Sequence, residues 1–245
     1  MAIKKIRRSP MTTISGLPDE IPVYILARVG AASATDLFSA KLSCKAFHTA
    51  SEDDEVLRRI EIDTIKNKAW YIGYCPCWCG EKTKTINRRA KTFAIRCLLL
   101  GNPGSLYRTG MRRYFRFRDP EVVMAYIRMA VEAGHKEATF FLGMVHLDEG
   151  RGSIEEGLNL LNQVYKESGR TWDVNESLVK VTSLANSWWK PQPPNVEGFH
   201  IQCPKRHTEG IIRRYWGEDE QVYNCEYCLW VYYFIMYCRN FNVEV

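Results

Sequence analysis

Apolar positions along the chain recur mostly at intervals of three and four, which predicts a mainly α fold. The first such stretch, ISGLPDEIPVYILARV at residues 14–29, puts Ile21, Ile25, Leu26 and Val29 on one helical face. Asp19 and Glu20 are a plausible cap pair, and Pro22 falls in the first turn, where a missing N–H is tolerated. Gly30 is expected to stop this helix. A second helix opening at Thr35 or Asp36 carries Leu37, Phe38, Leu42, Cys44 and Phe47, and a third over 53–60 turns Val56, Leu57 and Ile60 inward. Three helices in about 45 residues bury little core, so the bundle is expected to cover a spare apolar strip with a partner.

A longer pattern fills 121–169, where short helices pair. Ala130 and Gly134 close one helix, and Tyr165 and Gly169 close another, at a period of about 35 that signals stacked helical repeats. Ala138 and Gly143 are small enough to let two helices approach closely, and Gly150-x-Gly152 marks the turn between them. Asp148, Glu149, Glu155 and Glu156 have no nucleophile or base beside them and read as a solvated helix face. The repeat region is taken as 119–187 and ends at a proline-rich break, 188–195.

Charge divides the remainder. Residues 81–118 hold 11 basic side chains against 1 acidic one, whereas 119–168 hold 4 against 9. The basic stretch (Arg88, Arg89, Lys91, Arg96, Arg108, Arg112, Arg113, Arg116, Arg118) is interleaved with Phe93, Tyr107, Tyr114, Phe115 and Phe117. Such a mixture can track a phosphate backbone and stack on bases. It equally forms the wet and dry faces of helices, and Phe93, Ile95, Leu98 and Leu99 fit a packed helix. Residues 61–118 are therefore read as a basic linker with helices, and a nucleic-acid-associated zinc protein is the alternative function. Residues 1–13 form a basic tail whose KKIRR, at 4–8, is either a solvated segment or a nuclear import signal.

Nine cysteines with no secretory signal pattern favour thiols or a metal over disulfides. In 196–245, Cys203 and His207 are separated by three residues and Cys225 and Cys228 by two. Two short-spaced pairs roughly twenty residues apart suit one structural zinc ion with four protein ligands. His200, also three residues from Cys203, competes with His207 for the fourth place. Cys75, Cys77 and Cys79 lack a paired knuckle and are read as thiols. The apolar tail after the metal module, 229–241, is expected to be a helix or strand packed against it; its longest apolar run is about half of what a bilayer crossing needs. No membrane span is expected, and the protein is placed in the cytoplasm, the nucleus or both.

Residues 14–60 resemble an F-box. The resemblance is carried by Leu17-Pro18-x-Glu20-Ile21, Ile25-Leu26 and Cys44-Lys45-x-Phe47, the last similar to the ending found in plant F-box proteins. It implies binding of a Skp1-type adaptor and, through it, a cullin–RING ubiquitin ligase. Leu17, Pro18, Ile21, Ile25 and Leu26 would form the adaptor-facing surface, with Leu42, Cys44 and Phe47 flanking it. The segment from Ala138 to Gly169 resembles a Sel1-like repeat, a relative of the tetratricopeptide repeat, which implies protein contact rather than chemistry. No Gly-rich phosphate loop, nucleophile elbow or HExxH occurs, so no enzymatic activity is expected. The expected architecture is a three-helix F-box, a short α–α repeat region and a small zinc-bound module, serving as a substrate receptor.

Overall fold

The computed structural model describes residues 17–63, 65, 81–117, 120–149, 152–168, 171–188 and 226–241. Among the described residues there are eleven helices and no strand, so the fold is mainly α. Two compact units, Met1–Ser105 and Leu106–Val245, each have their own packing.

The first unit begins with α1 (Glu20–Ala32), α2 (Ala34–Ser43), α3 (Lys45–Ala50) and α4 (Asp54–Arg59), and ends with α5 (Glu81–Leu99). Two expectations are corrected here. Gly30 does not stop α1, which continues to Ala32; Gly30 is a point of close approach, where an added Cβ would lie 3.0 Å from Leu37 Cδ2. The turn falls at Ser33, whose extended backbone lets its hydroxyl accept from the Asp36 N–H at 3.2 Å and cap α2.

The second expected helix is two helices. The chain extends at Cys44 (φ −156°, ψ 163°), and its Sγ accepts weakly from the Phe47 N–H at 3.5 Å. The small bundle therefore has four helices.

Its core is Leu26, Ala27, Leu37, Val56, Leu57 and Ile60, joined by Ile62 and by Cys97 of α5, with Phe93 and Leu100 packed alongside. The core of this unit thus reaches well beyond residue 60. Glu52, in the turn before α4, pairs with Lys41 of α2 and with Arg96 of α5 (2.7 Å), and Arg96 also donates to the Glu52 carbonyl at 3.0 Å. The hydrogen bond from Lys41, with further help from Arg96, holds the Glu52 carboxyl below its ordinary 4.5 despite partial desolvation.

α5 closes on Gly101 (φ 75°): the Gly101 N–H reaches the Leu98 carbonyl at 3.0 Å and the Asn102 N–H reaches Cys97 at 2.9 Å. These paired bonds satisfy carbonyls that a helix end leaves over, with glycine in the left-handed position. Asn102 is fully buried and does two further jobs. Its Nδ2 donates to the carbonyls of Leu57, Arg58 and Ile60 at the end of α4, and its Oδ1 accepts from the Ser105 N–H at 3.0 Å.

The second unit contains most of α6 (Pro103–Phe117), then α7 (Pro120–Glu132), α8 (Lys136–Glu149), α9 (Ile154–Ser168), α10 (Thr171–Trp188) and α11 (Glu226–Asn240). α8 is central: every residue from 138 to 147 is buried, and α7, α9, α10 and α11 pack against it. Its start repeats the local chemistry of Gly101–Asn102. Gly134 (φ 81°) donates to the Val131 carbonyl, His135 N–H donates to Ala130, and His135 Nδ1 accepts from the Ala138 N–H at 3.2 Å. A tautomer that donates at Nδ1 could not make that last bond.

Gly101 and Gly134 stand 33 positions apart, as do Gly110-Met111 and Gly143-Met144. A Cβ on Gly110 would lie 2.5 Å from Ile127 Cδ1, and one on Gly143 would lie 2.6 Å from Leu161 Cγ. Each helix pair, α6 with α7 and α8 with α9, therefore has the same contact of a glycine under a branched aliphatic side chain. The repeat begins in the segment that sequence patterning assigned to a basic linker.

α11 supplies Trp230, Tyr233, Phe234 and Tyr237 to the interior, and Phe241 follows in the turn after it. Trp230 Nε1 donates to Asn162 Oδ1 of α9 at 2.7 Å, and at the other end Phe241 stacks on Phe115 of α6 at 5.7 Å. The apolar tail is thus a helix integrated with the repeat helices.

Candidate functional site

The first turn of α1 is fixed locally. Its opening is marked by the Ile21 N–H donating to the Pro18 carbonyl at 3.0 Å, and Glu20 places negative charge where the helix dipole favours it. Successive residues of an α-helix are turned about 100° from one another, so Ile25 and Leu26 cannot both point into one narrow core. The structure separates them. Leu26 is 1% exposed, inside the bundle with Val56 and Leu57, whereas Ile21 and Ile25 are 42% and 40% exposed one turn apart. Leu26, expected on the adaptor-facing surface, is a core residue, and its burial fixes which way Ile21 and Ile25 face.

Leu17 is half-buried and Pro18 exposed. Tyr24, which sequence reading passed over, is exposed beside these isoleucines, and Arg28 Nη1 donates to its hydroxyl at 3.1 Å. On α2, Phe38 and Leu42 are exposed one turn apart, Leu42 at 85%. Cys44 is half-buried and Phe47 packs on the core. Of the three residues expected to flank the surface, Leu42 is the one fully presented to solvent.

Between α1 and α4 lies an open cleft of about 340 Å³ lined by Asp19, Glu20, Val23, Tyr24, Ala27, Asp53, Glu55 and Arg59. Glu55 is held by Arg58 at 2.8 Å and Arg59 at 2.6 Å. Asp53 caps α4 by accepting from the Glu55 N–H at 2.9 Å.

The basic segment looks different once folded. Arg96 is engaged by Glu52, Arg108 is buried, and the Arg113 guanidinium lies 5.3 Å from the Tyr126 ring centroid. Among the described basic side chains, Arg96, Arg108 and Arg113 are thus committed to packing or pairing within the protein, while Arg88 and Lys91 face solvent.

For metal binding, Cys203, His207 and Cys225, together with the competing His200, lie outside the described residues, as do Cys75, Cys77, Cys79 and residues 4–8. Cys228 is buried in the first turn of α11. Desolvation pushes the Cys97 and Cys238 thiols up to about 12, so both are protonated packing residues at neutral pH. His146 is buried between two carboxylates, with Nδ1 3.0 Å from Glu149 and Nε2 3.7 Å from Glu156 of α9. No helix among the described residues is long and apolar enough to cross a membrane.

A family described as plant tetratrico peptide repeats matches residues 80–183, a span that includes all of α5 and covers the two glycine-centred helix pairs. Two F-box proteins of Arabidopsis thaliana are similar to the chain. One is 27% identical over 154 residues, covering 63% of this chain and 84% of that protein. The other is 23% identical over 190 residues, covering 77% of this chain and 59% of that protein's length. No solved structure matches the chain. The chain resembles plant F-box proteins, with a tetratricopeptide-type repeat in its middle.

Proposed function

We propose that the chain is the substrate-receptor subunit of a Skp1–cullin–RING ubiquitin ligase. In this reading Ile21 and Ile25 of α1 are the apolar anchors for the Skp1-type adaptor, with Leu17 and Pro18 at their edge and Leu26 supporting them from the core. The observation that carries it is the exposure of Ile21 and Ile25 on a helix whose opposite side is fully packed. Large apolar side chains kept in water on a rigid helix are suited to burial against a partner. The F-box names of the two relatives support the same assignment.

The repeat unit would hold the target protein. The subunit would contribute proximity between target and ligase, with bond-making left to its partners and no catalytic residue of its own. It would act in the cytoplasm or nucleus. The Cys/His segment would be stabilised by one structural zinc ion on Cys203, His207, Cys225 and Cys228. The spacing of the two ligand pairs supports this, with Cys228 in the first turn of α11.

The test is capture of the tagged full-length chain from plant cell extract at moderate salt. Co-capture of an adaptor and a cullin supports the receptor assignment. Capture of nuclease-sensitive nucleic acid without either would replace it with the nucleic-acid reading.

A further inference from the structure

The cleft between α1 and α4 is lined by the apolar Val23 and Ala27 and the ring of Tyr24, by Arg59 and Glu55, and by three further carboxylates, Asp19, Glu20 and Asp53. None of these three carboxylates forms an ion pair with a cation among the described residues. Glu55 adds a fourth carboxylate, already shared with two arginines of its own helix. The cleft therefore combines apolar surface with an excess of carboxylates over the single cation Arg59, although Glu20 and Asp53 also serve the starts of α1 and α4.

We propose that this cleft is the docking site of the chain's own N-terminal segment, residues 3–8. That segment reads Ile3-Lys4-Lys5-Ile6-Arg7-Arg8, two aliphatic residues among four cations. Its chemistry is the complement of the cleft: two isoleucines suit the apolar surface of Val23 and Ala27, and four cations suit the carboxylates of Asp19, Glu20 and Asp53. Long cationic side chains bury their stems over apolar surface and keep their charge at the edge.

Reach is sufficient. Arg8 stands nine positions before Leu17, a span of at most about 30 Å, and Asp19 in the cleft lining is two positions further on. A short tether raises the effective concentration of the segment at the cleft into the millimolar range, on the order of 1 mM, so weak individual contacts suffice. Because Glu20 and Tyr24 border Ile21 and Ile25 on α1, the docked segment adjoins the proposed adaptor surface. Docking itself does not depend on that surface having the proposed use.

Zero-length carbodiimide cross-linking of the full-length chain, read by mass spectrometry, tests the proposal. Lys4 or Lys5 should link to Asp53 or Glu55, residues remote in sequence. The yield should fall about fivefold in 0.5 M NaCl, where screening shortens to a few ångströms, about 4 Å. It should fall similarly in the double variant Ile3→Gln/Ile6→Gln, which keeps every charge and leaves the folded units untouched. Links scattered evenly onto carboxylates such as Glu132 and Glu155, or links to Asp53 and Glu55 that ignore the isoleucine changes, would overturn it. A mixture of isotopically light and heavy chains separates the remaining occupant: mixed-isotope links would assign the cleft to the tail of a second copy instead.

Discussion

Gly143 of α8 and Gly157 of α9 face each other so closely that a Cβ added to either would lie about 3 Å from the other's carbonyl oxygen, at 3.2 and 2.9 Å. The same Cβ on Gly143 would also lie 2.6 Å from Leu161 Cγ. Two helix backbones can meet at this distance because neither residue has a side chain. The two helices of this repeat are locked at a separation that only glycine permits.

Gly143→Ala should therefore destabilise the second unit even though alanine is the better helix former by about 1 kcal/mol. Overpacking at a buried contact typically costs 1–3 kcal/mol. Gly152→Ala is the control, because a Cβ there meets nothing within 4 Å. Thermal denaturation followed by circular dichroism should show a lower midpoint for the first variant and an unchanged one for the second.

Leu26 and Ile25, adjacent in sequence, should respond in opposite ways to truncation. Leu26→Ala empties a fully buried position and should cost about 2–5 kcal/mol of stability. Ile25→Ala changes an exposed position and should stay within about 0.5 kcal/mol of the wild type. Urea titration of the full-length protein distinguishes them through the transition of the first unit.

The Glu52 carboxyl makes the first unit sensitive to acid. Its folded pKa lies below the ordinary 4.5, chiefly because Lys41 donates a hydrogen bond to it. The unfolded chain therefore binds the proton more readily, and stability rises with pH. The contribution is fully present above about 4.5 and is lost as pH falls through the lower, folded value. Glu52→Gln should flatten this part of the stability profile when chemical denaturation is repeated between about pH 6 and pH 3.

The helical character of the chain and the existence of α1 were legible from periodicity alone. The division of labour on α1 was not, because a stripe of Ile21, Ile25, Leu26 and Val29 has a centre and a margin, and only the position of α4 decides which is which. The break at Cys44 carries no glycine or proline, so the run of apolar residues through Phe47 read as one helix. The earlier helix pair was hidden by its arginines. Its signal was present nonetheless in the Gly-Met pairs at 110–111 and 143–144, which share the 33-residue spacing of Gly101 and Gly134. Gly143 was recognised as a close-contact position and is one. Asn102 was missed: a lone asparagine between Gly101 and Pro103 shows a cap in sequence, but not the three distant carbonyls it serves.

The metal assignment makes a compositional prediction. Elemental analysis of the purified full-length protein should find one zinc per chain, reduced to none by Cys225→Ser and by His207→Ala and retained in His200→Ala. Metal kept by the His207 variant and lost by the His200 variant would exchange the two histidines. A wild-type protein purified without zinc, and binding none when it is supplied, would remove the metal from the molecule.

The receptor role rests on the outward face of α1, and the affinity of the full-length chain for a purified Skp1-type adaptor measures it most directly. Replacing Ile25 by glutamate puts a charge where the adaptor would bury an apolar anchor, and losses of about 2 kcal/mol or more are expected at such positions. Calorimetric titration should give saturable binding for the wild type, weakened at least about 30-fold by Ile25→Glu, with the helical content of the variant unchanged. A wild-type chain that does not bind the adaptor, or a folded Ile25→Glu variant that binds as tightly as the wild type, would contradict it.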